Sequence, residues 1–453
     1  MTIPGPSYDY LMIITDRIAA WLPTARWFAA KGESIAAVAV ADQAELPGGI
    51  TLAIVEVAMA SGEKSRYVVP VDREGRDASL TPAFAGWLVD AALGGGTTTA
   101  ARGSFEGHAT QSSAPRGFEA PTVAPLGGDA SNTSMLVEAA GAAYAVKLLR
   151  RCREGIQPEV EIGEFLSRDV PSDGTPRLRG WLEHRADGAA TAIATVHDFA
   201  PACTSAWDRL VALCGAGGLA GPHREKILGI VAALGRATAG MHRALGSRMD
   251  RAAFAPEPAT AAGRSAAAAR MTAHAREVFK LAAAWLPTAL AHPERLIAGL
   301  EALARLPITA SDIRVHGDFH LGQVLVAPDD VRVFVIDFEG EPGRSLEERR
   351  AKTSVCKDVA GMCRSFDYLL RHVARMTGGT YRTDDLALLE QTYLDAYREI
   401  ARGHAWWPTD ASEADGLLAA YTLDKAIYEL AYELHNRPDW VEVPLAALAM
   451  NEA

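Results

Sequence analysis

The sequence predicts an α+β protein of two lobes with a small α/β cap in front of them. Three observations carry this. Between residues 34 and 200, short apolar runs rich in Val, Ile and Thr alternate with turns of Gly, Pro, Asn and Asp, the pattern of strands. From Ser205 onward, apolar residues recur at helical spacing. Inside that helical half lies one hairpin signal, in which Val324–Val326 and Val331–Ile336 flank Ala327-Pro328-Asp329-Asp330. The chain has 453 residues, enough for two or three domains. The expected divisions are a cap over 1–93, a β-rich lobe over 104–200 and a helical lobe over 201–453.

The cap begins with residues 8–22, where Leu11, Ile13, Ile14, Ile18 and Leu22 fall close to one helical face before Pro23. Arg26-Trp27-Phe28-Ala29-Ala30-Lys31-Gly32 reads as a helix-to-strand link with a buried Trp. Strands are expected over 34–41, 50–59 and 65–71. The run from Gly94 to Gly103 is a compositional break. Beyond it, near Phe118, a second strand-rich segment begins. Leu126 to Ser134 makes a polar turn, and Met135–Glu138 and Ala143–Leu149 follow as strands. Pro158 is placed to open a helix. The strand in 191–200 leads through Val196, His197, Asp198 and Phe199 into Pro201. In the last lobe, 227–245, 258–306, 384–401 and 413–434 read as helices, the second of these from its alanine content. His242 lies beside the apolar face of the first and reads as a structural histidine.

Charge and cysteine content narrow the function. The net charge is −11, which disfavours nucleic acid and anionic membranes as partners. Five scattered cysteines with no C-x-x-C suggest neither a zinc site nor a disulfide framework. The first ten residues lack the basic start and apolar core of a signal peptide, and no apolar run is long enough to span a bilayer. A cytoplasmic monomer acting on small molecules is expected.

The chemistry concentrates between Val315 and Pro342. Asp318 and Gln323 enter the hairpin, and Asp337 and Glu339 leave it. The ends of two paired strands thus gather a carboxylate, an amide and two more carboxylates. Phosphoryl transfer needs such a set: one Asp to orient the attacking hydroxyl and accept its proton, and a second Asp with an amide to hold Mg²⁺ on the phosphates. The amide lies five residues after the Asp, as in the kinase catalytic loop, with Gln323 where Asn is usual. Asp318 is therefore the candidate base, and Gln323, Asp337 and Glu339 are the candidate metal ligands. ATP is the expected phosphate donor. His320 either hydrogen-bonds the acceptor or braces the loop. Upstream, Tyr144-Ala145-Val146-Lys147 is similar to the strand that carries a kinase's nucleotide lysine. Glu159 and Glu161 both qualify as its helix partner. Backbone N–H groups of the polar turn at Ser131, Asn132, Thr133 and Ser134 can point at phosphate. Backbone groups of Val196, Asp198 and Phe199 can read an adenine edge.

His316-Gly-Asp-Phe-His-Leu-Gly-Gln-Val-Leu325 with Ile336-Asp-Phe-Glu-Gly-Glu-Pro342 resembles the maltokinase family of bacterial sugar kinases, within the aminoglycoside-phosphotransferase-like kinases. It also resembles actinobacterial kinases that act on free glucosamine. The Arg26-Trp27-Phe28…Lys31-Gly32 stretch, the Ser131–Ser134 run, Ser354…Asp358…Arg364-Ser-Phe-Asp-Tyr368 and Tyr428-Glu429…Trp440 resemble the same family, from Trp27 to Pro444. The resemblance implies a protein-kinase-like fold, an interlobe ATP site, and Glu161 as the residue that fixes Lys147. It implies buried pairing for Asp358 and Arg364. It supports Glu429, Glu433, His435, Asn436 and Trp440 as a sugar site, since carboxylates accept from hydroxyls and aromatic faces cover C–H surfaces. Glucosamine phosphorylated at its 6-hydroxyl is the expected reaction, with maltose phosphorylated at its anomeric oxygen as the alternative. An aminoglycoside phosphotransferase or an inactive scaffold stands further off.

Overall fold

A computed structural model describes residues 8–28, 30, 32–111, 121–127, 131–139, 141–285 and 290–452. The chain divides into two units. The first comprises 1–171 and 176–201, and the second 172–175 and 202–453. The segments expected as cap and β-rich lobe thus fall within one unit, which ends at Pro201.

The first unit holds, in chain order, α1 (Tyr8–Trp21), β1 (Ile35–Leu46), β2 (Ile50–Met59), β3 (Lys64–Val71), α2 (Pro82–Gly94), β4 (Thr97–Thr99), β5 (Ser104–Ala109), β6 (Thr122–Pro125), β7 (Thr133–Ala139), β8 (Ala142–Leu148), β9 (Arg151–Cys152), α3 (Pro158–Glu164), β10 (Leu178–Ala186) and β11 (Ala189–Asp198). They form a four-stranded sheet, β1-β2-β3-β9, and a seven-stranded sheet, β4-β5-β10-β11-β8-β7-β6. Alternation along the strands gives each sheet a buried face. One core joins Leu46, Leu52 and Ile54 of the cap to Phe84, Leu88, Phe105, Leu148 and Ile193. This shared core is why cap and β-rich segment make a single unit. Gly107 permits the close approach of α2 to β5, because a Cβ there would meet the carbonyl oxygen of Ala91 at 1.7 Å. A second core gathers Ile14, Ile18, Trp27, Phe28 and Tyr67.

Trp27 is buried as the sequence predicts, and the Arg150 guanidinium lies over its ring at 4.3 Å. Arg150 is itself buried. Its Nη2 donates to Asp77 Oδ2 and Ser79 Oγ, both at 2.7 Å, and its Nε donates to Thr133 Oγ1 at 2.8 Å. One cation thus ties the cap to the start of β7. Lys31, Phe118 and the Gly128-Asp129-Ala130 part of the polar turn lie outside the described residues, as do the side chains of Leu11 and Ile13.

The second unit holds β12 (Thr204–Ser205), α4 (Ala206–Gly215), α5 (Arg224–Leu245), β13 (Glu257–Pro258), α6 (Ala261–Trp285), α7 (Pro293–Ala302), β14 (Ser311–Asp312), β15 (Val324–Val326), β16 (Val333–Val335), α8 (Leu346–Arg350), α9 (Cys356–Thr377), α10 (Thr383–Ala401), α11 (Ala411–Asn436) and α12 (Glu442–Glu452). The hairpin forms, its second strand shorter than the Val331–Ile336 run, with Leu325 opposite Phe334. Its turn is closed by Asp329, whose Oδ1 accepts from the N–H groups of Val331 and Arg332 at 3.0 Å. No helix among the described residues is long and apolar enough to cross a membrane.

Candidate active site

In the second unit, the loop bearing Asp318 is held from beneath by α9. Asp358 is buried, and its carboxylate accepts from the N–H of His316 at 2.8 Å and of Gly317 at 2.9 Å. His242 Nε2 donates to the same carboxylate at 3.0 Å, and Tyr397 O–H donates to His242 Nδ1 at 2.8 Å. Burial pushes the Asp358 carboxyl up, but His242, His316 and the Gly317 N–H together outweigh it and hold the group below its ordinary value. The expected structural roles of Asp358 and His242 are met. One turn later, Gly361 lets the loop approach, since a Cβ there would stand 2.5 Å from Phe319 O. Ser365 Oγ then accepts from the Leu321 N–H at 3.1 Å. The His316 ring packs between Phe319 and Phe338, 5.1 Å from each, and its Nε2–H donates to Ile336 O at 3.0 Å. These contacts join the Asp318 loop to the Asp337 loop.

Gln323 Nε2 donates to Asp337 Oδ2 at 3.1 Å, so the hairpin brings the expected metal pair together. Asp337 sits at φ +67°, a left-handed conformation unusual for a residue with a side chain. Such backbone strain recurs at functional positions. Among the described residues no group of three His, Cys, Asp or Glu side chains forms a metal cluster. Mg²⁺ on a nucleotide needs fewer, because phosphates and water complete its shell. One carboxylate and one amide suit it, once the Gln323 amide turns its oxygen inward. Glu339 is half-buried, and its carbonyl accepts from Arg349 Nη1 at 3.3 Å.

Asp318 is joined to a residue that the sequence reading did not single out. Lys425 Nζ on α11 donates to Asp318 Oδ1 at 2.9 Å. Burial pushes the Asp318 carboxyl up, but Lys425, His320 and His316 together hold it well below the carboxylate range. Burial likewise opposes the Lys425 charge, and Asp318, Glu341 and Glu429 more than offset it, raising the ammonium above its usual value. The pair is therefore ionised at neutral pH. His320 Nδ1 accepts from the Gly322 N–H at 3.0 Å, which leaves its proton on Nε2. Burial, the largest influence on it, lowers its pKa from the ordinary histidine value. This contact braces the loop.

A pocket opens beside Asp318, lined by Glu341, Arg344, Lys357, Asp424, Lys425 and Tyr428, with His274 and Tyr421 also contributing. Tyr421, Asp424, Lys425 and Tyr428 lie three, four and seven residues apart, one face of α11. That spacing was the available signal. The charged pair in Thr-Leu-Asp-Lys-Ala looks like a solvated turn until a carboxylate from another segment meets it.

The expected sugar set, at the end of α11 and in the turn beyond it, is arranged differently. Glu429 Oε2 accepts from Arg364 Nη2 at 2.6 Å, and Arg364 also donates to Asp367. Glu433 is 1 % exposed, accepts from Tyr368 O–H, and is gripped by Arg437 Nε at 2.9 Å. His435 Nδ1 lies 2.7 Å from Ala431 O, and Asn436 Nδ2 donates to Tyr432 O. Trp440 stacks on Tyr368 and His372, with centroids at 6.0 and 5.2 Å. Of this set, Glu429 acts electrostatically on Lys425, and none of it lines the pocket at Asp318.

In the first unit, Lys147 on β8 stands opposite Ser134 on β7 and Thr195 on β11, so the three share a face. Ser131 opens this stretch as an exposed residue. Asn132 Oδ1 accepts from the Arg150 N–H at 3.3 Å, and Thr133 is held by the Arg150 side chain. Glu159 is 3 % exposed and stands 3.3 Å from His197 Nε2. Its neighbour Glu161 is half-buried on α3. Val196 is buried in the sheet. The N–H of Asp198 donates to Arg177 O and that of Phe199 to Ala143 O, while the Asp198 carboxylate takes both arms of Arg179.

Comparison with known proteins agrees with this geometry. The phosphotransferase enzyme family model matches residues 122–340, and the maltokinase N-terminal cap domain model matches residues 21–101. A glucosamine kinase of Streptacidiphilus jiangxiensis is 32 % identical over 337 residues, covering 70 % of each chain. A glucosamine kinase of Mycolicibacterium smegmatis is 28 % identical over 72 % of this chain and 78 % of its own. A solved glucosamine kinase in complex with glucosamine, ADP and inorganic phosphate superposes with TM-score 0.66 at 25 % identity, over 98 % of this chain and 99 % of that one. The chain thus belongs to the phosphotransferase enzyme family, in the branch that combines a maltokinase-type cap with a kinase fold and includes the glucosamine kinases.

Proposed function

We propose that the protein is an ATP-dependent glucosamine kinase that transfers the γ-phosphoryl group to the sugar's 6-hydroxyl. The observation that carries this reading is the pocket at Asp318, where a fixed carboxylate base opens onto a recess lined with further carboxylates. The relatives named glucosamine kinases support the choice of sugar. Asp318 orients the 6-hydroxyl and accepts its proton as the new O–P bond forms and the bond from the γ-phosphorus to the bridging oxygen breaks, releasing ADP. General-base assistance of this kind is worth about 10²–10⁴ in rate. Gln323 and Asp337 would hold Mg²⁺, which neutralises charge on the phosphates. Lys147 would pair with the α- and β-phosphates, positioned by Glu161, since Glu159 is directed to His197. Ser134, opposite that lysine on β7, supplies a polar group beside it. Asn132 and Thr133 serve the turn through Arg150. The carbonyls of 196–199, more than the N–H groups of Asp198 and Phe199, would face adenine.

Maltose is the second reading, favoured by the match of the cap to the maltokinase model. An ATP-consumption assay across glucosamine, maltose, glucose and an aminoglycoside separates the two. Glucosamine is expected to give the highest kcat/KM. A higher value for maltose overturns the reading.

A further inference from the structure

Most polar groups around the Asp318 pocket already have partners. Asp318 holds Lys425. Glu341 is buried, accepts from Arg344 Nε at 3.1 Å and stands 3.7 Å from Lys357 Nζ. The Tyr421 hydroxyl meets Thr353 Oγ1 at 2.9 Å, and the Tyr428 ring lies 4.7 Å from the Lys425 ammonium. Two groups remain. The Asp424 carboxylate makes no hydrogen bond or ion pair with any described residue. His274 Nδ1 is buried and has no hydrogen-bond partner among them. Buried polar atoms are nearly always paired, and an orphan lining a pocket points to a ligand that completes it.

We propose that Asp424, assisted by His274, selects an amino sugar over the corresponding neutral hexose. The inference rests on the glucosamine reading above and names the group that enforces it. Burial, and then Glu341, push the Asp424 carboxyl above its ordinary value. His274, Lys357 and Arg344 act in the opposite direction, but the last two are already bound to Glu341. A ligand ammonium supplies both the missing hydrogen bond and the missing positive charge. A hydroxyl at the same carbon supplies only the hydrogen bond. Charge-assisted hydrogen bonds are roughly twice as strong as neutral ones, so the amine gains the advantage. His274 Nδ1 can accept a second ammonium N–H, which fixes where that group points.

The test is calorimetric binding of glucosamine and of glucose to the full-length wild-type chain and to Asp424→Asn, with His274→Gln as a second variant. The readout is the ratio of the two dissociation constants, which a general loosening of the pocket leaves in place. Asp424→Asn is expected to lower the preference for glucosamine by about 10- to 50-fold, and His274→Gln to lower it less. A preference unchanged within twofold in Asp424→Asn overturns the assignment, even if both affinities fall together. Turnover assays keep the two levels apart. If wild type phosphorylates glucosamine while the ratio stays fixed, only Asp424 is misassigned. If wild type leaves glucosamine untouched, the reading beneath it fails as well.

Discussion

Two neighbouring stretches, one on α11 and one running from its end to Trp440 beyond it, have opposite fates. Residues 421–428 put Asp424 and Lys425 between two tyrosines and face the pocket at Asp318. Residues 429–440 are richer in the groups that bind sugars, yet Glu433 is enclosed by Tyr368 and Arg437, and Trp440 is stacked on Tyr368 and His372. The difference is hydrogen-bond satisfaction. A carboxylate already held by a guanidinium and a phenol has little left to offer a ligand, whereas Asp424 has its whole acceptor capacity. One helix, α9, serves both stretches. Its first turn grips the Asp318 loop through Asp358, and its middle holds the tail of α11 through Arg364 and Tyr368.

The largest effect should follow from breaking the first stretch. Lys425→Met removes the cation that holds Asp318 low, so the Asp318 pKa rises. A base must be ionised to act. The wild-type Asp318 stays ionised through the acidic range, whereas in the variant the acid limb of kcat/KM moves to higher pH. At neutral pH kcat should drop about 10²-fold through lost positioning. A pH–rate profile in which the acid limb does not move would remove Lys425 from the mechanism. Asp358→Ala comes next. It leaves two loop N–H groups and His242 without their shared acceptor, and should cost about 3–5 kcal/mol of stability as well as activity. Denaturant melts and kcat should therefore fall together. Glu433→Gln, in the second stretch, should separate those two readouts. Stability is expected to drop by about 1–2 kcal/mol while the KM for glucosamine stays within threefold. A KM raised tenfold with stability intact would return the tail of α11 to the sugar site. His435→Ala is the smallest step, with a stability change within about 0.5 kcal/mol.

The same contrast explains what could be read in the sequence. The Asp318–Asp337 hairpin was legible because its chemistry is local. Two short β-branched runs and an Asp turn fix the register, and the register sets Gln323 beside Asp337. The strand of Lys147 and the Pro158 start of α3 were legible for the same reason. Lys425 was not, because its partner lies 107 residues away and nothing near it in the chain announces a buried ion pair. Glu433 and Trp440 show the converse. Their residue types suit a sugar, and only packing reveals that Tyr368, His372 and Arg437 had taken them. Arg150 escaped attention too, since its partners Asp77, Ser79 and Trp27 come from the cap.

The most direct test is γ-phosphoryl transfer to glucosamine by wild type and by Asp318→Asn, with folding followed by circular dichroism and nucleotide affinity by calorimetry. Wild type should form glucosamine 6-phosphate with consumption of ATP. The variant should keep its fold and its ATP affinity while turnover falls at least about 10³-fold. Undiminished turnover in Asp318→Asn would contradict the account at its centre.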